Sequence, residues 1–114
     1  MEKFMFIFQG GMASANQQSP EQIQSHMGKW MAWIDKLSKE EKYVAGEPLL
    51  PGGKLISGSG GKTAIDGPYT EGKEVVGGFF IIKADDINEA VAISKDYPGF
   101  EFGGTVQVRE VMKM

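Results

Sequence analysis

A single histidine, no cysteine and two tryptophans bound the chemistry open to this 114-residue chain. His26 is the one side chain whose ordinary titration falls near neutral pH. Paired with a carboxylate, an imidazole becomes a general acid–base unit, because the carboxylate fixes the tautomer and stabilises the imidazolium. Asp66 is the candidate carboxylate. It precedes Gly67-Pro68 at the end of an expected strand, where it could orient His26. It could equally begin a turn by accepting backbone N–H groups two residues on. Trp30, Trp33 and Tyr69 could wall an aromatic ligand pocket, or they could fill the core or a subunit interface, as such residues commonly do.

Other chemistries are excluded by residue type. Without cysteine there is no disulfide, thiolate nucleophile or cysteine-bearing zinc site. One histidine rules out a multi-histidine metal site within one chain. No serine stands in a recognisable nucleophile motif. The acids of Asp85-Asp86-Ile87-Asn88-Glu89 lack the glycine and the spacing of a calcium loop and read as helix caps. Gly58-Ser59-Gly60-Gly61-Lys62-Thr63 resembles a phosphate loop, but Ile56 stands where that pattern needs glycine and no long helix can follow. No metal and no cofactor are expected. The net charge is −3 with no basic run, which argues against nucleic acid and against a polybasic membrane contact. No apolar run has the length of a membrane span, and Phe4–Phe8 is too short for a signal-peptide core. The expectation is a cytoplasmic protein.

The elements that must position these residues follow from pattern. Phe4–Phe8 is a continuous apolar run and predicts a strand buried on both faces. Residues 12–18 read as a loop. Ser19-Pro20-Glu21-Gln22 predicts a capped helix start, and Ile23, Met27, Trp30, Ile34 and Leu37 form its apolar stripe to about Ser38. At 100° per residue, His26 lies about 300° and Trp33 about 280° around from Ile23, at the edge of that stripe. A short strand is expected over Lys42–Ala45 and a loop over Glu47–Gly53. Lys54–Ser57 and Lys62–Ile65 flank a glycine turn as a hairpin. Gly78–Lys83 is another strand apolar on both faces. Asp86 or Asp85 caps a second helix with Ile87, Ala90, Val91 and Ile93 on its apolar face, ended by Pro98-Gly99. Thr105–Val111 is the last strand, with Val106 and Val108 on one side and Gln107 and Arg109 on the other.

The order is βαββαβ with an inserted hairpin, an α+β, ferredoxin-like arrangement in one domain spanning 1–114. Two helices cover only one face of such a sheet. Strands apolar on both faces would leave Phe and Ile exposed, beyond what a soluble monomer tolerates. A second copy packed sheet to sheet, a dimeric α/β-barrel type of association, removes that exposure; inserted loops folding over the face would do the same.

The stretch Asp66-Gly67-Pro68-Tyr69-Thr70-Glu71-Gly72-Lys73-Glu74-Val75-Val76-Gly77-Gly78-Phe79-Phe80 resembles the signature of the YCII-related, or DGPF-domain, family. Asp66, Gly67, Pro68, Glu71, Lys73, Glu74 and Gly78 match, and Tyr69 replaces the usual Phe. Gly46-Glu47-Pro48-Leu49, Glu89-Ala90 and the closing Gly103–Val111 also match, although the family more often has Glu at the position of Gln107 and Pro at that of Glu110. The resemblance implies a ferredoxin-like fold dimerising through its sheets, and a small enzyme with a His–Asp pair in a cleft. Asp66 would be its aspartate, and His26 matches a position that carries histidine in some relatives. Transcription-related labels of some relatives do not suit the acidic charge here. The leading functional expectation is a cofactorless enzyme acting on a small organic molecule. The alternatives are a noncatalytic small-molecule binding module and a structural homodimer.

Overall fold

In the computed structural model, residues 1–10, 19–50, 52–67 and 75–114 are described. Residues 12–18 and Tyr69, both discussed above, lie outside them. Strand β1 (Glu2–Gln9) pairs antiparallel with β5 (Val76–Ala84) on one side and with β6 (Thr105–Glu110) on the other, and β2 (Tyr43–Pro48) flanks β5. The sheet order is therefore β2-β5-β1-β6. Helices α1 (Pro20–Lys39) and α2 (Ile87–Ser94) complete an α+β architecture with one antiparallel four-stranded sheet. No helix among the described residues is long and apolar enough to cross a membrane.

The inserted hairpin forms where expected, as β3 (Lys54–Ser57) and β4 (Thr63–Asp66) around a 3-10 turn at Ser59–Gly61. It makes a two-stranded sheet of its own, and every residue of both strands is exposed. The glycine-rich turn is followed by a strand, which rules out a phosphate loop there.

The cap of α1 is the one written in the sequence. Ser19 Oγ accepts from the Gln22 N–H at 3.2 Å, and Gln22 Oε1 accepts from the Ser19 N–H at 2.8 Å. Asp86 Oδ1 likewise accepts from the Glu89 N–H at 2.9 Å to start α2, while Glu89 reaches back to the Asp85 N–H rather than to Asp86. Strand β2 runs on through Glu47 and Pro48, which the sequence assigned to a loop: past a bulge between Tyr43 and Ala45, its pairing with β5 continues to Glu47 opposite Phe79 and Pro48 opposite Gly78.

Within a single copy, the central strands are not equally buried on both faces. Phe4, Phe6, Phe8, Phe80 and Ile82 are buried beneath the helices, whereas Met5, Ile7, Phe79 and Ile81 are half-buried on the opposite face. Strict alternation in a pleated strand produces this difference once only one face is covered. The buried face of α1 differs from the expected stripe. Trp33 and Leu37 are buried, with Trp30 and Ile34 packed beside them, while Ile23 and Met27 remain exposed. A tryptophan removes more apolar area than isoleucine or methionine, so the helix is seated by Trp33, stacked on Phe6 at 6.1 Å and 4.9 Å from Phe80.

After α2, the chain makes a 3-10 turn at Pro98–Phe102. The turn is held against the sheet by Tyr97, which is buried and stacked on Phe8 at 4.8 Å. Gly99 lies under that ring, and a Cβ there would fall 2.2 Å from Tyr97 Cζ and Oη. Tyr97 cannot swing clear without leaving Phe8. We expect Gly99→Ala to destabilise by about 1–3 kcal/mol through overpacking, read as a lower urea midpoint at unchanged slope. Gly28 of α1 has nothing among the described residues within 4 Å of its Cβ position, so Gly28→Ala should instead stabilise by about 0.5–1 kcal/mol.

Candidate active site

His26 sits in the second turn of α1 with its side chain 18% exposed. Both of its ring nitrogens are engaged. Nδ1 lies 3.2 Å from Glu101 Oε1, and the Trp30 indole N–H donates to Nε2 at 3.1 Å. An indole N–H can only donate, so Nε2 is the unprotonated nitrogen and Nδ1–H donates to Glu101. Lys29, one turn along α1, donates to the other carboxylate oxygen, Glu101 Oε2, at 2.6 Å. The Phe102 ring stands edge-on to the imidazole at 4.8 Å. Gln22, Ser25, His26, Lys29, Glu101 and Phe102 line a cleft of ≈ 240 Å³ between α1 and the Pro98–Phe102 turn.

The hydrogen bonds from Lys29 and His26 hold the Glu101 carboxyl below the usual carboxylate range. A depressed folded-state value stabilises the fold above the unfolded value, about 4.5, and that contribution is lost as pH falls through the folded value. The stability difference between wild type and Glu101→Gln should therefore shrink as pH drops below about 4.5. Urea midpoints measured from pH 6 down to pH 3 check this. A constant difference would mean that the two hydrogen bonds do not depend on the carboxylate charge.

Asp66 is placed elsewhere. It ends β4 as expected, and its carboxylate pairs with Lys54 across the hairpin, with both side chains exposed. No hydrogen bond or ion pair joins it to His26 among the described residues. Of the three aromatic candidates, Trp30 touches His26, Trp33 is core, and Tyr69 lies outside the described residues.

Glu101, Lys29, Ser25, Gln22 and Phe102 were missed in the sequence. Lys29 could have been found, because it lies three residues from His26 on the same helical face. Glu101 is 75 residues away in a turn with no periodicity, and nothing local marks it. A second cleft of similar volume lies between α1 and α2. Its charges pair with each other, Lys36 with Asp96 at 3.5 Å and Lys42 with Glu40 and Glu89 at 3.9 Å each. Among the described residues, no group of three or more acidic or histidine side chains is placed to hold a metal ion.

Comparison with known proteins places the fold and the family. No curated protein matches the chain in sequence. Among solved structures, the chain is similar to the 5-chloro-2-hydroxyhydroquinone dehydrochlorinase of Burkholderia phenoliruptrix AC1100, solved in complex with 2,5-dihydroxybenzoquinone. The TM-score is 0.50 and the identity 16%, over 98% of this chain and 95% of that one. At that identity the likeness speaks for the fold alone. The YCII-related domain matches residues 5–114, nearly the whole length, so the chain belongs to the YCII-related family.

Proposed function

We propose that this protein is a small cofactorless enzyme that moves a proton on a small organic molecule, with His26 as the acid–base group and Glu101 as the carboxylate that orients it. The observation that carries the reading is the Nδ1–H bond from His26 to a carboxylate at the edge of a cleft. Such a bond leaves Nε2 as the working nitrogen and stabilises the imidazolium formed when it takes a proton. Lys29 keeps Glu101 ionised and adds positive charge beside any anionic ligand. In this reading Glu101 takes the role the sequence gave to Asp66, and Asp66 closes the hairpin through Lys54. The dehydrochlorinase of similar fold acts on a chlorinated hydroxyhydroquinone, which makes hydroxylated and chlorinated aromatics the first compounds to try.

The test is turnover of a panel of such compounds, read by ultraviolet absorbance and chloride release, with wild type, Glu101→Gln and Asp66→Asn side by side. Turnover that falls with Glu101→Gln and holds with Asp66→Asn supports the assignment. The reverse result returns the carboxylate role to Asp66. No turnover by wild type across the panel counts against the enzyme reading.

The working form we propose is a ferredoxin-like homodimer joined through the sheets. Met5, Ile7, Phe79 and Ile81 sit together on the open face, opposite one another in register. Polar Gln9, Gln107, Arg109 and Glu47 surround them, an apolar centre with a polar rim of the kind that self-association covers. The exposed hairpin does not cover this face. Sedimentation at micromolar concentration should give twice the chain mass for wild type and one chain mass for Ile81→Glu. A monomeric wild type would overturn the dimer.

A further inference from the structure

We propose that Trp30 is the residue that positions His26, its indole N–H capping the working nitrogen until a ligand takes its place. The proposal rests on the acid–base reading of His26 given above. In the free protein Nε2 is not open to the cleft, because it accepts from Trp30 Nε1 at 3.1 Å. The ring is thereby fixed from both ends. Trp30 requires Nε2 to be unprotonated, and the remaining proton, on Nδ1, meets Glu101. Trp30 follows His26 by four residues, the spacing at which two side chains on one helix meet.

The cap is itself held. The Trp30 ring stands edge-on to Phe8 at 5.1 Å, Phe80 at 5.6 Å and Tyr97 at 5.6 Å. Trp30 does not line the cleft, so it reaches the imidazole from the core side. A ligand meets Nε2 only when the imidazole turns or the indole withdraws. Proton transfer to Nε2 also breaks the cap, because it sets two N–H donors against each other. Uptake of a proton by His26 and release of Trp30 are then one event. That links the state of the core aromatic layer to the state of the site.

With one histidine in the chain, nitrogen-15 spectra of the imidazole need no assignment. At pH 8 the wild type should give the Nδ1–H tautomer, and Trp30→Phe should shift the ring toward Nε2–H. Diethyl pyrocarbonate gives a second reading. An unprotonated imidazole nitrogen attacks its carbonyl and expels ethyl carbonate; the ring's other N–H proton is then lost to give the N-carbethoxy product, and ethyl carbonate takes up one proton and breaks down to ethanol and carbon dioxide. Trp30→Phe should raise that rate, followed at 240 nm, roughly fivefold to tenfold, the scale of losing one neutral hydrogen bond.

Glu101→Gln keeps the cap and should stay slow. Equal rates in wild type and Trp30→Phe overturn the proposal, and so does a rate rise in Glu101→Gln equal to that in Trp30→Phe. If Trp30→Phe does not fold, the wild-type spectrum decides alone, since an Nε2–H tautomer is incompatible with the cap. None of these readings uses turnover. An inactive protein with a capped ring sinks the enzyme reading and leaves the cap standing, whereas an active protein with a free ring does the opposite.

Discussion

His26→Gln should lower kcat/KM by about 10²- to 10⁴-fold, the usual contribution of a positioned acid–base group, while leaving the melting temperature close to that of wild type. Glutamine is the informative replacement. Its amide oxygen can still accept from Trp30 and its amide nitrogen can still donate to Glu101, so both hydrogen bonds that hold His26 have counterparts. Glutamine is also a good helix former, as α1 requires. What it lacks is the ability to carry a proton. Alanine would confuse the result, because it would leave the part-buried Trp30 N–H without an acceptor, a loss of about 1–3 kcal/mol unrelated to catalysis. The measurement is steady-state kinetics on any compound found to turn over, beside thermal unfolding of both proteins. A His26→Gln protein with full activity would remove His26 from the chemistry and leave binding as the role of the cleft.

The sequence discloses local geometry well and tertiary pairing poorly, and this site illustrates both. Ser19, Pro20 and Gln22 announce the start of α1, because a cap is an arrangement among neighbours. The hairpin around Gly58–Gly61 and the alternation of Val106 with Val108 are legible for the same reason. Helical periodicity places His26, Lys29 and Trp30 near one face, yet it says nothing of what faces them. Glu101 arrives through the Tyr97 stack on Phe8 and the tight seat of Gly99, contacts that exist only once β1 and the turn after α2 are assembled. The hydrophobic stripe misled for a related reason. Counting apolar positions favoured Ile23 and Met27, whereas the sheet is met by the largest ring, Trp33. Volume and contact partner, rather than apolar count, select the buried face.

Trp33 also carries the largest stability effect expected in the molecule. It is 3% exposed and packs against Phe6, Phe8, Trp30 and Phe80. Trp33→Ala should therefore cost about 3–5 kcal/mol, the lost transfer energy of the indole together with the cavity it leaves. A domain of this size has about 5–15 kcal/mol in total, so the variant would be close to unfolding at 37 °C. Trp33→Phe should behave quite differently. The indole Nε1 of Trp33 is buried without a hydrogen-bond partner among the described residues, and an unpaired buried donor costs about 1–3 kcal/mol. Phenylalanine removes that donor and keeps a ring to lie on Phe6. It forfeits the second ring of the indole, a loss of similar size. The two terms oppose, and the net change should stay within about 1 kcal/mol. Urea unfolding of the three proteins at one pH decides the matter, with midpoints compared at constant slope. If Trp33→Phe proves as damaging as Trp33→Ala, the indole N–H has an acceptor, and the shape of the full indole rather than the burial of an aromatic ring is what seats α1 on the sheet.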